Sequence, residues 1–198
     1  MIEIHLRHGQ ASPETGQLTD EGIRQAVIAG QYIRNEYPRG FGCSLHSPSS
    51  RAAKTAELLA VPNIDWKPDD RLIEKHSEES WAEVRVRCTK VAQEIDDTYA
   101  YDNRILVYHG EAMRAMRACC ENFTGAHFWL LFEEPYKYFN NTQLIIYTDE
   151  PPDGQPAAPD TWWVKSICPW ANGSFGHDWI EMRKNTVHDT YPRPTNGF

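Results

Sequence analysis

Leu6-Arg7-His8-Gly9-Gln10 comes directly after a short apolar opening, Met1–His5, which predicts a first β-strand. The same order of apolar strand, histidine and glycine returns about a hundred residues later in Ile105-Leu106-Val107-Tyr108-His109-Gly110. Reactive groups in an open parallel sheet gather beyond the carboxyl ends of the strands. Two neighbouring strand ends would therefore bring His8 and His109 into one pocket. The glycine after each histidine would let the backbone approach a ligand closely.

The composition predicts a soluble protein with one sizeable core. A chain of 198 residues suits one α/β domain. Its net charge of -8 disfavours nucleic acid as a partner. The five cysteines form no CxxC pair and no metal-ligand spacing, which favours a reducing compartment. Because no signal peptide and no apolar run of about 18 residues is present, we expect a cytoplasmic protein without a membrane partner.

Strand and helix patterns alternate along the chain, which is typical of an α/β fold. Helical spacing follows the N-cap candidate Thr19 as far as Tyr37, and an amphipathic pattern covers Ser80–Tyr99. The remaining predicted elements are strands over Cys43–His46, Ile64–Lys67, Arg104–Tyr108, Thr142–Asp149 and Thr161–Cys168, and a helix over Glu111–Glu121. Residues 169–198 are rich in Trp, Gly and Pro and are predicted to form an irregular tail.

A third candidate group stands at the start of a predicted helix. The segment Ser47-Pro48-Ser49-Ser50-Arg51 reads as a serine-capped turn that places Arg51 in a first helical turn. Free backbone N–H groups and the helix dipole favour an anion at such a position. A guanidinium group can add two parallel hydrogen bonds to a bound oxyanion.

Together these motifs resemble the histidine phosphatase (phosphoglycerate mutase-like) superfamily. The resemblance is carried by Arg7-His8-Gly9, Leu18-Thr19-x-x-Gly22, Ser47-Pro48-x-x-Arg51-Ala52, Leu72-x-Glu74 and His109-Gly110, in that order. It covers roughly residues 1–168 and implies a doubly wound, mostly parallel sheet with helices on both faces and a C-terminal hairpin. It also implies a phosphohistidine on the first histidine and no metal. We expect no other cofactor, and from the length of the chain we expect a single domain over residues 1–198.

The residue types fit attack on a phosphomonoester. A neutral imidazole can approach the anionic phosphoryl group, so His8 is the expected nucleophile. Arg7 and Arg51 would clamp the phosphoryl oxygens, and His109, if protonated, would add a donor and a positive charge. Gly9 and Gly110 are expected beside them in the substrate site.

The leaving alkoxide needs a proton, and Glu74 is the predicted donor. Family members usually carry a glycine about four residues after this acid and a Trp-Glu-Gly nearby. This chain instead has Glu78 at the first position and a displaced Trp81. Glu78 and Glu79 therefore remain rival donors.

The preferred function is hydrolysis of a small phosphorylated substrate. Phosphoglycerate mutases of the superfamily carry a long insertion after Arg-His-Gly, whereas Gln10–Gln17 is short here. A mutase must exclude water while the phosphoryl group moves, so the short loop favours a phosphatase. A mutase-type phosphotransferase and a noncatalytic phosphoester-binding module are the alternatives. Specificity is expected in Ala11–Gln17 and Phe123–Asn141, while the substrate and the oligomeric state stay open.

Overall fold

A computed structural model gives the fold of the chain. It describes residues 1–100, 102–123, 139–152, 154, 161–171 and 175–183. Most of the predicted specificity segment Phe123–Asn141 and the end of the tail lie outside these residues.

The described residues form seven strands and four helices. The strands are β1 (Ile2–Arg7), β2 (Cys43–His46), β3 (Lys67–Pro68), β4 (Arg104–Tyr108), β5 (Leu144–Thr148), β6 (Thr161–Ile167) and β7 (Gly176–Arg183). The helices are α1 (Asp20–Glu36), α2 (Ser50–Leu58), α3 (Trp81–Thr98) and α4 (Gly110–Cys120). None of these helices combines the length and apolar character that crossing a membrane requires.

All seven strands belong to one sheet in the order β3-β2-β4-β1-β5-β6-β7. The strands β3, β2, β4 and β1 run parallel, whereas β5, β6 and β7 pair antiparallel. In the pairing of β1 with β4, Arg7 lies opposite Tyr108. The two predicted strand ends are therefore neighbours, and the residue after each of them emerges at the same edge of the sheet.

Helices cover both faces of the sheet, as predicted. Ile4, Leu6 and Val107 face α1 and α2 in one buried apolar cluster. Leu106 and Tyr108 face α3 and α4 in the other. Because successive strand residues point to opposite faces, β4 and β5 contribute to both cores, whereas the apolar residues of β1 face only the first.

Capping explains where two of the helices begin. The Thr19 hydroxyl accepts a hydrogen bond from the Gly22 N–H, as the sequence predicts for the start of α1. Ser80 and Glu83 form a capping box at the start of α3, which satisfies two backbone donors.

Two predicted elements differ from the structure. The short strand expected at Ile64–Lys67 lies instead at Lys67–Pro68, since pairing with Leu45 and His46 of β2 fixes its position. Residues 176–183, predicted as part of the irregular tail, form the edge strand β7. Pairing with β6 and burial of Met182 stabilise this strand. The Gly-, Trp- and Pro-rich composition of the tail predicts neither contact.

Candidate active site

The parallel pairing of β1 with β4 places the two predicted histidines side by side. The His8 N–H donates to the Tyr108 carbonyl at 2.9 Å, which extends the strand pairing to the histidine itself. The centroids of the His8 and His109 rings are 5.0 Å apart, with an edge-to-face arrangement. Strand β2 lies on the other side of β4 and delivers the turn that leads to Arg51.

The contacts of His8 fix its tautomer. Its Nδ1–H donates to the Gly9 carbonyl at 2.7 Å, so Nε2 carries the lone pair. The Arg51 Nε–H points at this Nε2 from 3.0 Å. Burial lowers the pKa of His8 to about 4, and the charges of Arg7 and Arg51 act in the same direction. The imidazole is therefore neutral at physiological pH, with an unprotonated nitrogen turned into the pocket.

Arg51 joins the two histidines through one guanidinium group. While its Nε–H faces His8, its Nη2 donates to the Nδ1 of His109 at 3.2 Å. Arg51 lies in the first turn of α2, as the sequence predicts. Its position places one guanidinium donor at the candidate nucleophile and another at the second histidine.

The other nitrogen of His109 contacts two serine hydroxyls that sequence reasoning overlooked. His109 Nε2 lies 2.9 Å from the Ser47 Oγ and 3.2 Å from the Ser49 Oγ. Ser49 is the N-cap residue of α2, yet its side chain makes no capping bond. The serine-rich turn, predicted as a cap, thus positions His109 instead.

His109 is neutral in this arrangement. Burial lowers its pKa to about 2, and the nearby charges of Arg51 and Arg7 add to the effect. Because Nδ1 accepts from Arg51, the consistent tautomer carries its proton on Nε2, which can donate to Ser47. The protonated His109 that the sequence analysis considers would require a bound anion beside the ring.

The side chain of Arg7 is held beside the same pocket. Its Nη1 donates to the Phe139 carbonyl, and its Nε is buried without a hydrogen-bond partner among the described residues. An unsatisfied buried donor is costly, and an oxyanion would relieve that cost. A Cβ at Gly110 would lie 3.5 Å from this Nε, an ordinary van der Waals distance, so Gly110 lies directly beside the guanidinium group.

Glu74 faces the pocket from the segment before α3. Its Oε1 accepts from the Glu111 N–H at 3.2 Å, and its Oε2 lies 3.7 Å from the Nδ1 of His109. Burial raises the pKa of Glu74, and the Glu111 carboxylate raises it further. These surroundings favour a protonated carboxyl group more than a solvated position would.

The two rival acids occupy different surroundings. Glu78 is exposed, and the Oε1 of Glu79 accepts from the Arg87 Nε–H at 2.7 Å. The hydrogen bond to Arg87 lowers the pKa of Glu79. Of the three acids, Glu74 is the one that lies beside His109, and burial raises its pKa.

Gly9 has a packing role that the sequence did not predict. A Cβ on Gly9 would lie 2.4 Å from the Gly22 carbonyl oxygen. The Gly9 N–H donates to the Thr55 Oγ1 at 3.0 Å. The absence of a side chain at Gly9 therefore permits close approach to the start of α1, which accounts for Gly9 without a ligand.

The pocket also contains a group of possible metal donors. His8, Glu74 and His109 each offer a donor atom, and these atoms lie within 4.8 Å of one another. The two arginines at the same place oppose a cation and attract an anion. The donor set alone fits a metal ion, whereas the full electrostatic surroundings fit an oxyanion better.

Comparison with family models identifies the sequence pattern. The model described as histidine phosphatase superfamily (branch 1) matches residues 4–77 and 74–137. A search of curated protein sequences gave no match.

Solved structures with a similar fold include two proteins that are named as phosphatases. The mycobacterial glucosyl-3-phosphoglycerate phosphatase, in complex with VO3, is 20% identical with a TM-score of 0.64, covering 74% of this chain and 92% of that one. The Entamoeba histolytica phosphoserine phosphatase mutant with phosphoserine is 16% identical with a TM-score of 0.57, covering 75% and 90%. YhfR of Bacillus stearothermophilus is 19% identical with a TM-score of 0.63, covering 74% and 90%. At these identities the likeness establishes a shared fold.

Proposed function

The chain belongs to the histidine phosphatase superfamily, and from that premise we propose that it hydrolyses a phosphomonoester through a phosphohistidine on His8. One observation carries the proposal. His8 holds its Nδ1 proton against the Gly9 carbonyl and turns an unprotonated Nε2 toward the Arg51 guanidinium group. A neutral nitrogen beside fixed positive charge is the arrangement that attack on a phosphate dianion needs.

In the first step, the His8 Nε2 forms a bond to phosphorus as the bond to the leaving oxygen breaks. The Nε–H of Arg51 and the buried Nε–H of Arg7 would turn from their present surroundings to the phosphoryl oxygens. A phosphate dianion would oppose the effects that lower the pKa of His109 and favour its charged form. His109 would then donate to the same phosphoryl group.

Glu74 supplies the proton for the leaving oxygen and then serves as the base for water. Its raised pKa supports the first role, and its place 3.7 Å from His109 puts it at the edge of the same pocket. In the second step, water attacks phosphorus, the N–P bond breaks, and the water proton passes to Glu74. His8 is thereby restored as neutral imidazole.

Hydrolysis is preferred over transfer to a second position because of the short connection after Gln10. Ala11 and Leu18 form an antiparallel bridge, and the Ser12 N–H donates to the Gln17 carbonyl at 2.8 Å. The loop closes on itself, so this segment offers little cover for an intermediate that must be shielded from water.

The proposal predicts metal-independent turnover. Hydrolysis of 4-nitrophenyl phosphate by the full chain should continue unchanged in excess EDTA, since His8 itself is the nucleophile. Loss of activity in EDTA that returns with added metal would instead assign catalysis to the His8, Glu74 and His109 donor group. Phosphate binding with no turnover in either condition would support the binding module.

A second prediction concerns Glu74→Gln. With an alkyl phosphate, whose leaving group needs a proton, kcat should fall by about 10² to 10⁴. With 4-nitrophenyl phosphate, nitrophenolate can leave without a proton, so the first step should stay fast. The attack of water on the phosphohistidine lacks its base, and nitrophenolate should therefore appear in a burst followed by slow turnover. Glu78→Gln is the matched control and should behave like wild type, because Glu78 is exposed. A full effect from Glu78→Gln, or none from Glu74→Gln, would contradict the assignment.

The dependence of kcat/KM on pH follows from the ionisation of His8 and Glu74. Because the pKa of His8 is lowered to about 4, its nucleophilic form persists as pH falls and is lost only near that value. The pKa of Glu74 is raised, so its protonated form is lost as pH rises through that higher value. With an alkyl phosphate, kcat/KM should therefore decline on the alkaline side, and Glu74→Gln should remove that decline.

The substrate class is addressed by a panel of phosphomonoesters. Phosphoserine and 3-phosphoglycerate are natural first members, because structures of the Entamoeba histolytica phosphoserine phosphatase contain these compounds. Sugar phosphates, nucleotides and a phosphopeptide complete the panel. Movement of phosphate between positions of phosphoglycerate, without release, would favour the mutase.

A further inference from the structure

A second cluster of metal-ligating side chains lies away from the phosphate pocket. Glu3 and His5 are two residues apart on β1 and therefore share a face of the strand, and Cys120 is the last residue of α4. One donor atom from each of the three lies within 4.8 Å of the others. We infer that Glu3, His5 and Cys120 form a binding site for a divalent transition metal ion, and that Zn²⁺ fits these donors best.

The donor set points to zinc because it combines sulfur, nitrogen and oxygen. A cysteine thiolate favours zinc over Mg²⁺ and Ca²⁺, which prefer oxygen ligands alone. Three protein ligands with an open fourth position are a common arrangement at zinc.

The Glu3 and His5 donor atoms lie closer together than two ligands of a zinc ion would, and the Cys120 sulfur lies farther away. The His5 Nε2 lies 2.7 Å from the Glu3 Oε1, and the Cys120 Sγ lies 4.0 Å from the same oxygen. Tetrahedral ligands at zinc bond lengths are separated from one another by roughly 3.3 to 3.6 Å. A modest opening of the Glu3–His5 pair and an approach of the sulfur would therefore create the site.

Hydrogen bonds from neighbouring side chains already orient His5 and Glu3. The Tyr108 hydroxyl lies 2.6 Å from the Nδ1 of His5, so an Nδ1–H donated to it would direct the Nε2 lone pair to a metal. Arg104 holds the second oxygen of Glu3 at 2.9 Å. Such outer partners fix the orientation of metal-binding side chains. The positive charge of Arg104 weakens the site, and its ion pair with Asp96 offsets that effect.

A cavity provides access and room for a fourth ligand. It has a volume of about 300 Å³, and its walls include Glu3, Cys120, Thr89, Gln93 and Asp96. Water within it could complete the coordination of an ion held by the three side chains.

Metal binding at this site exchanges a proton for a metal bond. Zinc binds the deprotonated sulfur of Cys120, so the thiol must give up its proton when the ion binds. On binding, a sulfur–zinc bond forms and the thiol proton passes to solvent. Without metal, Glu3 is already paired with His5 and Arg104, so the fold does not depend on the ion. The ion would instead stabilise the contact between β1 and α4.

The test is titration of the full chain with Co²⁺, a spectroscopic substitute for Zn²⁺. Wild type should develop a thiolate-to-cobalt charge-transfer band with one equivalent of metal, and Zn²⁺ should abolish it. Cys120→Ser should remove the band while leaving phosphatase activity unchanged. Cys119→Ser is the matched control and should keep the band, because the Cys119 Sγ is directed to Thr89 and the Ala115 carbonyl.

The donor group in the phosphate pocket has no thiol, so the band distinguishes the two sites. It should persist in His8→Ala and disappear in His5→Gln. Saturating Zn²⁺ should raise the Tm of wild type by about 5 °C or more and leave that of Cys120→Ser unchanged. No thiolate band in folded wild type, or a band that survives Cys120→Ser, would overturn the proposal.

Discussion

His8→Ala should reduce kcat for 4-nitrophenyl phosphate by about 10⁴ or more, because the substitution removes the atom that forms the bond to phosphorus. Phosphate binding should persist, since Arg7 and Arg51 remain. The measurement is steady-state hydrolysis alongside calorimetric titration with inorganic phosphate. His76→Ala is the matched control, because His76 is exposed, and it should retain wild-type turnover.

Two outcomes for His8→Ala would count against a covalent mechanism. Retention of more than about a tenth of wild-type kcat in a folded variant would mean that water attacks the substrate directly. Loss of phosphate binding together with activity would mean that His8 chiefly holds the pocket in shape. Circular dichroism and thermal unfolding distinguish both outcomes from a failure to fold.

Arg51→Ala should lower kcat/KM by about 10² to 10³, which is the usual cost of removing one preorganised donor from a developing charge. The loss here includes positioning, because Arg51 contacts His8 and His109 simultaneously. Arg51→Lys should recover little, since an ammonium group cannot reproduce both contacts of the guanidinium fork. Arg24→Ala is the matched control, because Arg24 is exposed on α1 and paired with Glu21.

The pKa of His8 should also change in Arg51→Ala. Removing the charge should raise the pKa of His8 above about 4, because Arg51 favours the neutral ring. The acidic limb of the kcat/KM profile should therefore move to higher pH. A variant with lower activity but an unshifted acidic limb would show that the guanidinium group does not act on His8.

The sequence predicts that His8 and His109 lie close together, because parallel strands end at the same edge of a sheet. Once His8 and His109 both follow apolar strands, adjacent strand ends bring them together without any detail of side-chain packing. Arg51 follows similarly from its place in a first helical turn.

Contacts that depend on tertiary packing could not be predicted. Ser47 and Ser49 form a plausible cap in sequence, and only the approach of β4 turns their hydroxyls to His109. The close contact of Gly9 with the start of α1 is likewise not predictable from the sequence. The choice among three glutamates depends on the irregular path between β3 and α3, which places Glu74 beside the pocket.

The tail illustrates a different limit. Strand β7 alternates weakly in sequence, with Trp179, Ile180 and Met182 among polar neighbours. Its stability comes from the ladder with β6, which composition alone does not reveal. The specificity predicted for Phe123–Asn141 falls mostly on residues 124–138, which lie outside those described.

Rapid-quench trapping of the phosphoenzyme tests the central claim most directly. During turnover of a phosphomonoester, peptide mass spectrometry under alkaline conditions should find one acid-labile phosphoryl group on the peptide that contains His8, and it should be absent from His8→Ala. With 4-nitrophenyl phosphate, whose leaving group needs no proton, Glu74→Gln should accumulate more of it, because only the attack of water is slowed. Turnover at full rate with no phosphoryl group on His8 at any time, or with the group on another residue, would contradict the account.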